Sequence, residues 1–158
     1  VKTCLLFETP EAVSSVDDIL ELSGIDEVFI GLNDLSLGYG KKFMFELLTD
    51  GTVENLCLKF KHKGLPYGFG GIAAIGRGTL PAESILREHY RLGSTCVILS
   101  RSFCNYEKIN NTEKVKEIFE NGLGCMRSFE EEVSVHSKYF ERNSENIKNS
   151  VESIIRGA

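Results

Sequence analysis

Four short apolar runs, each followed by an amphipathic or glycine-punctuated stretch, occupy residues 1–104, and this alternation restricts the fold more than any other feature. The runs are residues 2–7 (KTCLLF), 27–31 (EVFIG), 65–74 (LPYGFGGIAA) and 95–100 (TCVILS). Each reads as a β-strand. After the first, Thr9-Pro10 sets a helix start with proline at the first helical position. Ala12, Val13, Val16, Ile19 and Leu20 then share one face, and Gly24 closes the helix. Residues 33–40 (NDLSLGYG) read as a loop, and 41–48 as a short helix. Asp50-Gly51 marks a turn before a helix over 52–63, with Val53, Leu56, Cys57 and Phe60 inward and Gly64 as its stop. Pro81 opens a further helix that Gly93 ends.

Strand starts near residues 2, 27, 65 and 95 leave room for crossovers, so neighbouring strands are expected to be parallel. Strands apolar on both faces fit a parallel sheet covered on both sides, or a barrel wall. Eight βα units make a barrel of about 250 residues. Four units stand here, so the expected fold is α/β, a parallel (β/α) half barrel. From residue 112 the pattern turns helical. Thr112 is the expected cap of a long helix carrying Val115, Ile118, Phe119, Met126, Phe129, Val133 and Phe140, with Gly122 and Gly124 weakening its middle. A last helix is expected over 144–156, with Ile147, Val151, Ile154 and Ile155 on one face. The chain thus divides into residues 1–104, the half barrel, and 105–158, a helical extension suited to oligomerisation.

Composition narrows the function. Among 158 residues the net charge is −5, and no lysine/arginine cluster stands out, which argues against a nucleic-acid partner. No apolar run reaches the roughly 18 residues of a membrane span, and no signal peptide is recognisable. Five cysteines show no metal-finger spacing; Cys4 and Cys96 fall inside strands as small hydrophobes. A reduced, cytoplasmic protein is expected. The chain begins Val1-Lys2-Thr3 without an initiator methionine, so its start is expected to be processed, trimmed or cut from a longer protein.

In α/β folds chemistry gathers at the carboxyl ends of strands. Those ends carry Glu8, then Asn33-Asp34, then Gly70-Gly71, then Ser100-Arg101. Glu8 and Asp34 project from adjacent strands, where a hard cation such as Mg²⁺ or Mn²⁺ takes one or two carboxylates and keeps positions for water and substrate. Either carboxylate also serves equally as a helix cap. Arg77 and Arg101 are candidates for a second anionic group, or for surface salt bridges. Gly68, Gly70 and Gly71 do not form a dinucleotide fingerprint. His62, His89 and His136 lie in helical stretches away from the strand ends and read as structural or solvated, and residues 129–142 as a solvated helix face.

Residues 5–40 resemble the HpcH/HpaI aldolase and citrate lyase family, metal-dependent enzymes of the phosphoenolpyruvate/pyruvate barrel superfamily. The resemblance rests on Glu8-Thr9 after a strand, then GIDEVFIG over 24–31, then NDLSLGYG over 33–40, with 26 positions separating Glu8 from Asp34. It extends less distinctively over residues 3–104. It implies the last four strands of the barrel, with Glu8 and Asp34 as the protein ligands of Mg²⁺ or Mn²⁺. Gly31, Leu32, Asn33 and Asp34 would form the loop that receives a substrate carboxylate. The implied reaction is cleavage or formation of a 4-hydroxy-2-oxo acid through a pyruvate-type enolate, with a 2-oxo acid and an aldehyde as partners. Citrate-lyase-like cleavage of an acyl-CoA is the enzymatic alternative. A non-catalytic half-barrel module, completed by a second copy or a complementing half barrel, is the other. Leu6 stands where family aldolases often carry glutamine, and Gly31-Leu32-Asn33-Asp34 where G-P-A-D is common. The arginine and histidine of the family's chemistry belong to the first half of the barrel, for which these residues hold no counterpart.

Overall fold

The computed structural model describes residues 1–135 and 139–157; His136 lies outside the described residues. The architecture is α/β around a four-stranded parallel sheet of order β1-β2-β3-β4. The strands are β1 (Cys4–Phe7), β2 (Glu27–Ile30), β3 (Tyr67–Ile72) and β4 (Cys96–Leu99). Helices α1 (Pro10–Ser14) and α2 (Val16–Leu20) follow β1, α3 (Leu32–Gly38) follows β2, and a 3₁₀ helix (Met44–Leu48) and α4 (Thr52–His62) lead to β3. Between β3 and β4 lies α5 (Ala82–Leu92), and the chain ends with α6 (Thr112–Val135) and α7 (Phe140–Gly157).

Strand periodicity divides the sheet into two faces with different surroundings. Val28 pairs with Leu5 and Tyr67, and Ile30 with Phe7 and Phe69. Phe7, Val28, Ile30, Tyr67 and Phe69 are all buried in one cluster with Leu56, Phe60 and Leu86 from the helices. The opposite face carries Cys4, Leu6, Glu27, Phe29, Gly68, Cys96 and Ile98. Here the expectation of a sheet covered on both sides fails at the edges. Leu6 is 50% exposed and Ile98 56%, because β1 and β4 each pair on one side only and the helices gather on the other face. In the middle Phe29 stays buried by lying over Gly68, where an added Cβ would stand 2.8 Å from its ring.

Several boundaries depart from the expected ones for identifiable reasons. The helix expected from Pro10 to Gly24 is two short helices. Thr9 accepts a bond from the Ala12 amide as its cap, but the Ser14 hydroxyl donates to the Pro10 carbonyl and Ser15 leaves helical geometry. Serines that bond their own backbone offer an alternative to the helical ladder. Most of the 33–40 stretch expected as loop is helical, in a helix that starts at Leu32, because Leu32, Leu35 and Ser36 turn into the core. Gly38 lets α3 lie against α1, since a Cβ there would stand 2.6 Å from the Pro10 ring. Thr112 is the first residue of α6 rather than its cap; Asn111 caps it, accepting from the Lys114 amide. α6 runs unbroken through Gly122 and Gly124. Phe140 opens α7 rather than extending α6, so the last helix starts four residues before the expected 144. Of the run expected as a solvated face, residues 129–135 end α6 and 140–142 begin α7, with Val133 buried, and 136–138 lie outside the described residues.

α6 and α7 pack on α5, and Met126, Ile147 and Val151 join the same hydrophobic cluster as the sheet. A polar tie fixes α7: Asn143, buried, donates from Nδ2 to the Ser84 carbonyl and to Glu88 Oε1. Glu88 in turn accepts from Arg91, which also bonds Glu54 on α4. Among the described residues no helix is long and apolar enough to cross a membrane.

Candidate metal centre

The carboxyl ends of all four strands lie at one edge of the sheet because every pairing is parallel. Glu8 follows β1 directly, and the Phe7 carbonyl accepts from the Gly31 amide at 2.9 Å, which fixes the end of β1 against the entry to α3. Glu8 is half-buried. Its side chain lies over Gly31: an added Cβ there would stand 2.9 Å from Glu8 Cβ and 3.2 Å from Oε2. Gly31 is therefore the cap of α3 that has room for the glutamate. Asp34 sits in the first turn of α3, exposed, with Oδ1 accepting from Asn33 Nδ2 at 3.1 Å.

The four residues 31–34 thus split by role. Leu32 points into the core, only 1% exposed, and packs beneath Gly70, so its backbone alone is available to a ligand. Asn33 and Asp34 face solvent. The first amides of α3 have no intrahelical acceptor, as at every helix start.

Across the same edge, β3 bulges at Gly70, whose φ of +64° is a left-handed conformation that glycine adopts readily. Ser100 closes the gap to β4, donating from both its amide and its hydroxyl to the Ile72 carbonyl. Arg77 lies exposed in the loop after β3, and Arg101 exposed after β4. Glu83 braces the first of these loops by accepting from the Gly76 amide at 2.8 Å. Sequence reasoning passed over this brace, although an acidic residue in the first turn of α5 behind a glycine-rich loop is its signal. None of the ion pairs among the described residues involves Glu8, Asp34, Arg77 or Arg101. Among the described residues the surface salt bridges weighed for both arginines are not formed, and Glu8 and Asp34 likewise have no ion-pair partner.

No group of three or more histidine, cysteine, aspartate or glutamate side chains gathers to hold a metal among the described residues. Glu8 and Asp34 are the carboxylates that follow β1 and β2 at this edge, and carboxylate oxygens are the ligand type of hard cations such as Mg²⁺ or Mn²⁺ rather than of a closed zinc cage. The remaining titratable groups lie elsewhere. His62 is exposed at the end of α4. His89 is buried, its ring stacked on Phe69 at 3.8 Å, and burial lowers its pKa to about 3. All five cysteines are free. Burial pushes the Cys57 thiol up to about 12, and burial together with the bond to Glu27 does the same for Cys96. Neither is a nucleophile at neutral pH. No family model matches the chain, and no curated protein matches it either.

Proposed function

We propose that this chain carries the metal half of a carbon–carbon lyase of the HpcH/HpaI aldolase type, built on the last four strands of a (β/α) barrel. What supports the reading is the placement of Glu8 and Asp34 just beyond the carboxyl ends of the adjacent strands β1 and β2, with no ion-pair partner among the described residues, beside a glycine cap that leaves room for Glu8. Both carboxylates offer hard oxygen ligands, and Glu8 and Asp34 would hold Mg²⁺ or Mn²⁺. When bound, such an ion supplies Lewis-acid stabilisation to the enolate that develops as a carbon–carbon bond breaks. The chain's own residues do the rest. The Asn33 and Asp34 amides offer donors to the carboxylate of a 2-oxo acid, and Arg77 and Arg101 draw anionic substrate towards the same edge. An arginine and a histidine for the acid–base steps would come from outside residues 1–158, and the cytoplasm would be the place of work.

Oxaloacetate decarboxylation tests this reading without those acid–base groups, because it requires only that the electrons of the breaking bond be accepted. Wild-type protein with Mn²⁺ is expected to release pyruvate faster than Mn²⁺ alone. Glu8→Gln and Asp34→Asn are expected to fall to the free-metal rate. A wild-type rate equal to that of free Mn²⁺ would remove the proposal. Turnover of an acyl-CoA substrate but not of oxaloacetate would move it to the citrate-lyase-like alternative.

A second reading is favoured by the unpaired outer edges of β1 and β4 and the exposed Leu6 and Ile98. Parallel strand edges seek partners, so the sheet would be completed by a second copy or a complementing half barrel. Sedimentation showing a monomer across the micromolar range would exclude self-completion.

A further inference from the structure

The strand order β1-β2-β3-β4 follows the chain, and every pairing is parallel. Right-handed crossovers that always advance in one direction put the connecting helices on the same face, so the other face stays bare. Exposed Leu6 and Ile98 and half-buried Glu27 belong to that bare face. A contact across β3 gives it a shape. Gly68 pairs with Phe29 on one side and with Cys96 on the other, so Cys96 lies in the hydrogen-bonded row of Phe29. Its thiol nevertheless donates to Oε1 of Glu27, two residues before Phe29, at 3.2 Å. The contact passes over Gly68, where a Cβ would stand 2.5 Å from Cys96 Sγ. A barrel of eight strands and shear eight staggers by about one residue per strand, hence by about two from β2 to β4. Its interior is filled in layers of roughly four side chains, drawn from alternate strands. Glu27 and Cys96 have the placement of two members of such a layer.

Charge decides what can complete that layer. The Glu27 carboxylate accepts the weak thiol bond of Cys96 and takes part in no ion pair among the described residues. A second copy would repeat Glu27 and Cys96 in the same enclosed layer, giving two carboxylates and no cation. Like charges withdrawn from water together repel each other and lose their hydration. A lysine or arginine brought to the layer would instead meet Glu27 as an ion pair.

We propose that the bare face of the sheet is the docking surface for a complementing half barrel of different sequence, whose inward side chains bring a lysine or arginine to the layer of Glu27 and Cys96. The proposal rests on completion of the sheet at its open edges, the second reading of function, and chooses between that reading's two occupants. Leu6 and Ile98, on the outermost strands, supply apolar contact, and Glu27 selects the partner by its charge.

A charge-reversed copy of the chain serves as the probe. Wild type, Glu27→Lys and an equimolar mixture of the two are compared by sedimentation velocity at micromolar concentrations under reducing conditions, with circular dichroism to show each folded. Wild type and Glu27→Lys are each expected to sediment as monomers. The mixture is expected to form a dimer at least about a hundredfold tighter than either chain alone forms. Adding Leu6→Asp and Ile98→Asp to both chains should return the mixture to monomer. Wild type that dimerises as tightly as the mixture would overturn the choice of partner and leave completion of the sheet intact. A mixture that stays monomeric would overturn both. A dimer that survives Leu6→Asp and Ile98→Asp would lie elsewhere on the molecule and overturn the proposal as well. Should Glu27→Lys not fold, Glu27→Gln removes the repulsion alone. It is expected to self-associate at least about tenfold more tightly than wild type, and equal association would overturn the proposal.

Discussion

Gly31 has room for a hydrogen and little more, and that single vacancy decides where Glu8 lies. Its backbone is in ordinary right-hand territory, with φ of −78°, so alanine would be allowed conformationally and refused sterically. Gly31→Ala is therefore expected to displace the Glu8 carboxylate and weaken Mn²⁺ binding about tenfold, equivalent to ~1.4 kcal/mol. Calorimetric titration checks this, with circular dichroism to show the fold retained. His89 governs a different property. Burial holds its pKa at about 3 in the folded chain, against the ordinary histidine value of 6.5 when the chain unfolds. Above 6.5 the group is neutral in both states and contributes no pH dependence. As the pH falls through 6.5 the unfolded state takes up a proton that the native state refuses, so stability drops by roughly 1.4 kcal/mol per pH unit until the folded pKa is reached. Urea unfolding at pH 7, 6, 5 and 4 should show this slope in wild type, and a shallower one in His89→Phe. An unchanged slope in the variant would assign the pH dependence to the carboxylates.

At the scale of elements, two glycines in α6 make opposite demands on the same helix. A Cβ at Gly122 would stand 2.6 Å from the Phe103 ring, whereas Gly124 opens on space. Gly124→Ala is expected to stabilise the protein by about 0.5–1 kcal/mol through helix propensity. Gly122→Ala is expected to destabilise it by about 1–3 kcal/mol, because the overpacked ring must move. Thermal unfolding of the pair reads both signs at once. The attachment of α7 rests on Asn143. Asn143→Ala would leave Glu88 Oε1 buried without its donor, a loss of about 1–3 kcal/mol. Hydrogen exchange should then rise along α7 before it rises in the sheet.

For the whole molecule, periodicity was enough to place the sheet's four strands and the inward faces of the long helices. Val53, Leu56, Cys57 and Phe60 repeat at helical spacing and are buried together. What periodicity could not supply was information held in tertiary contact. α3 is helical through burial of Leu32 and Leu35, in a stretch whose glycines read as a loop. Leu6 and Ile98 look like core residues and are exposed, since an apolar strand carries no record of whether a neighbour covers it. His89 was legible in principle: Ala82, Ile85, Leu86 and His89 form one inward stripe of α5, masked by the charged residues between them. Of the candidate site, the positions of Glu8 and Asp34 followed from strand ends alone. The room beside Gly31, the core-facing side chain of Leu32 and the unpaired state of Arg77 and Arg101 required the folded chain.

The proposed lyase chemistry rests on Glu8 and Asp34 acting together on one cation. Electron paramagnetic resonance of free Mn²⁺, followed while the protein is titrated in, measures that directly. The expected result is a single class of site in wild type, weakened at least about tenfold in Glu8→Ala and in Asp34→Ala, as loss of one of two carboxylate ligands requires. Arg77→Ala should leave it unchanged. Equal Mn²⁺ affinity in wild type, Glu8→Ala and Asp34→Ala would contradict the account.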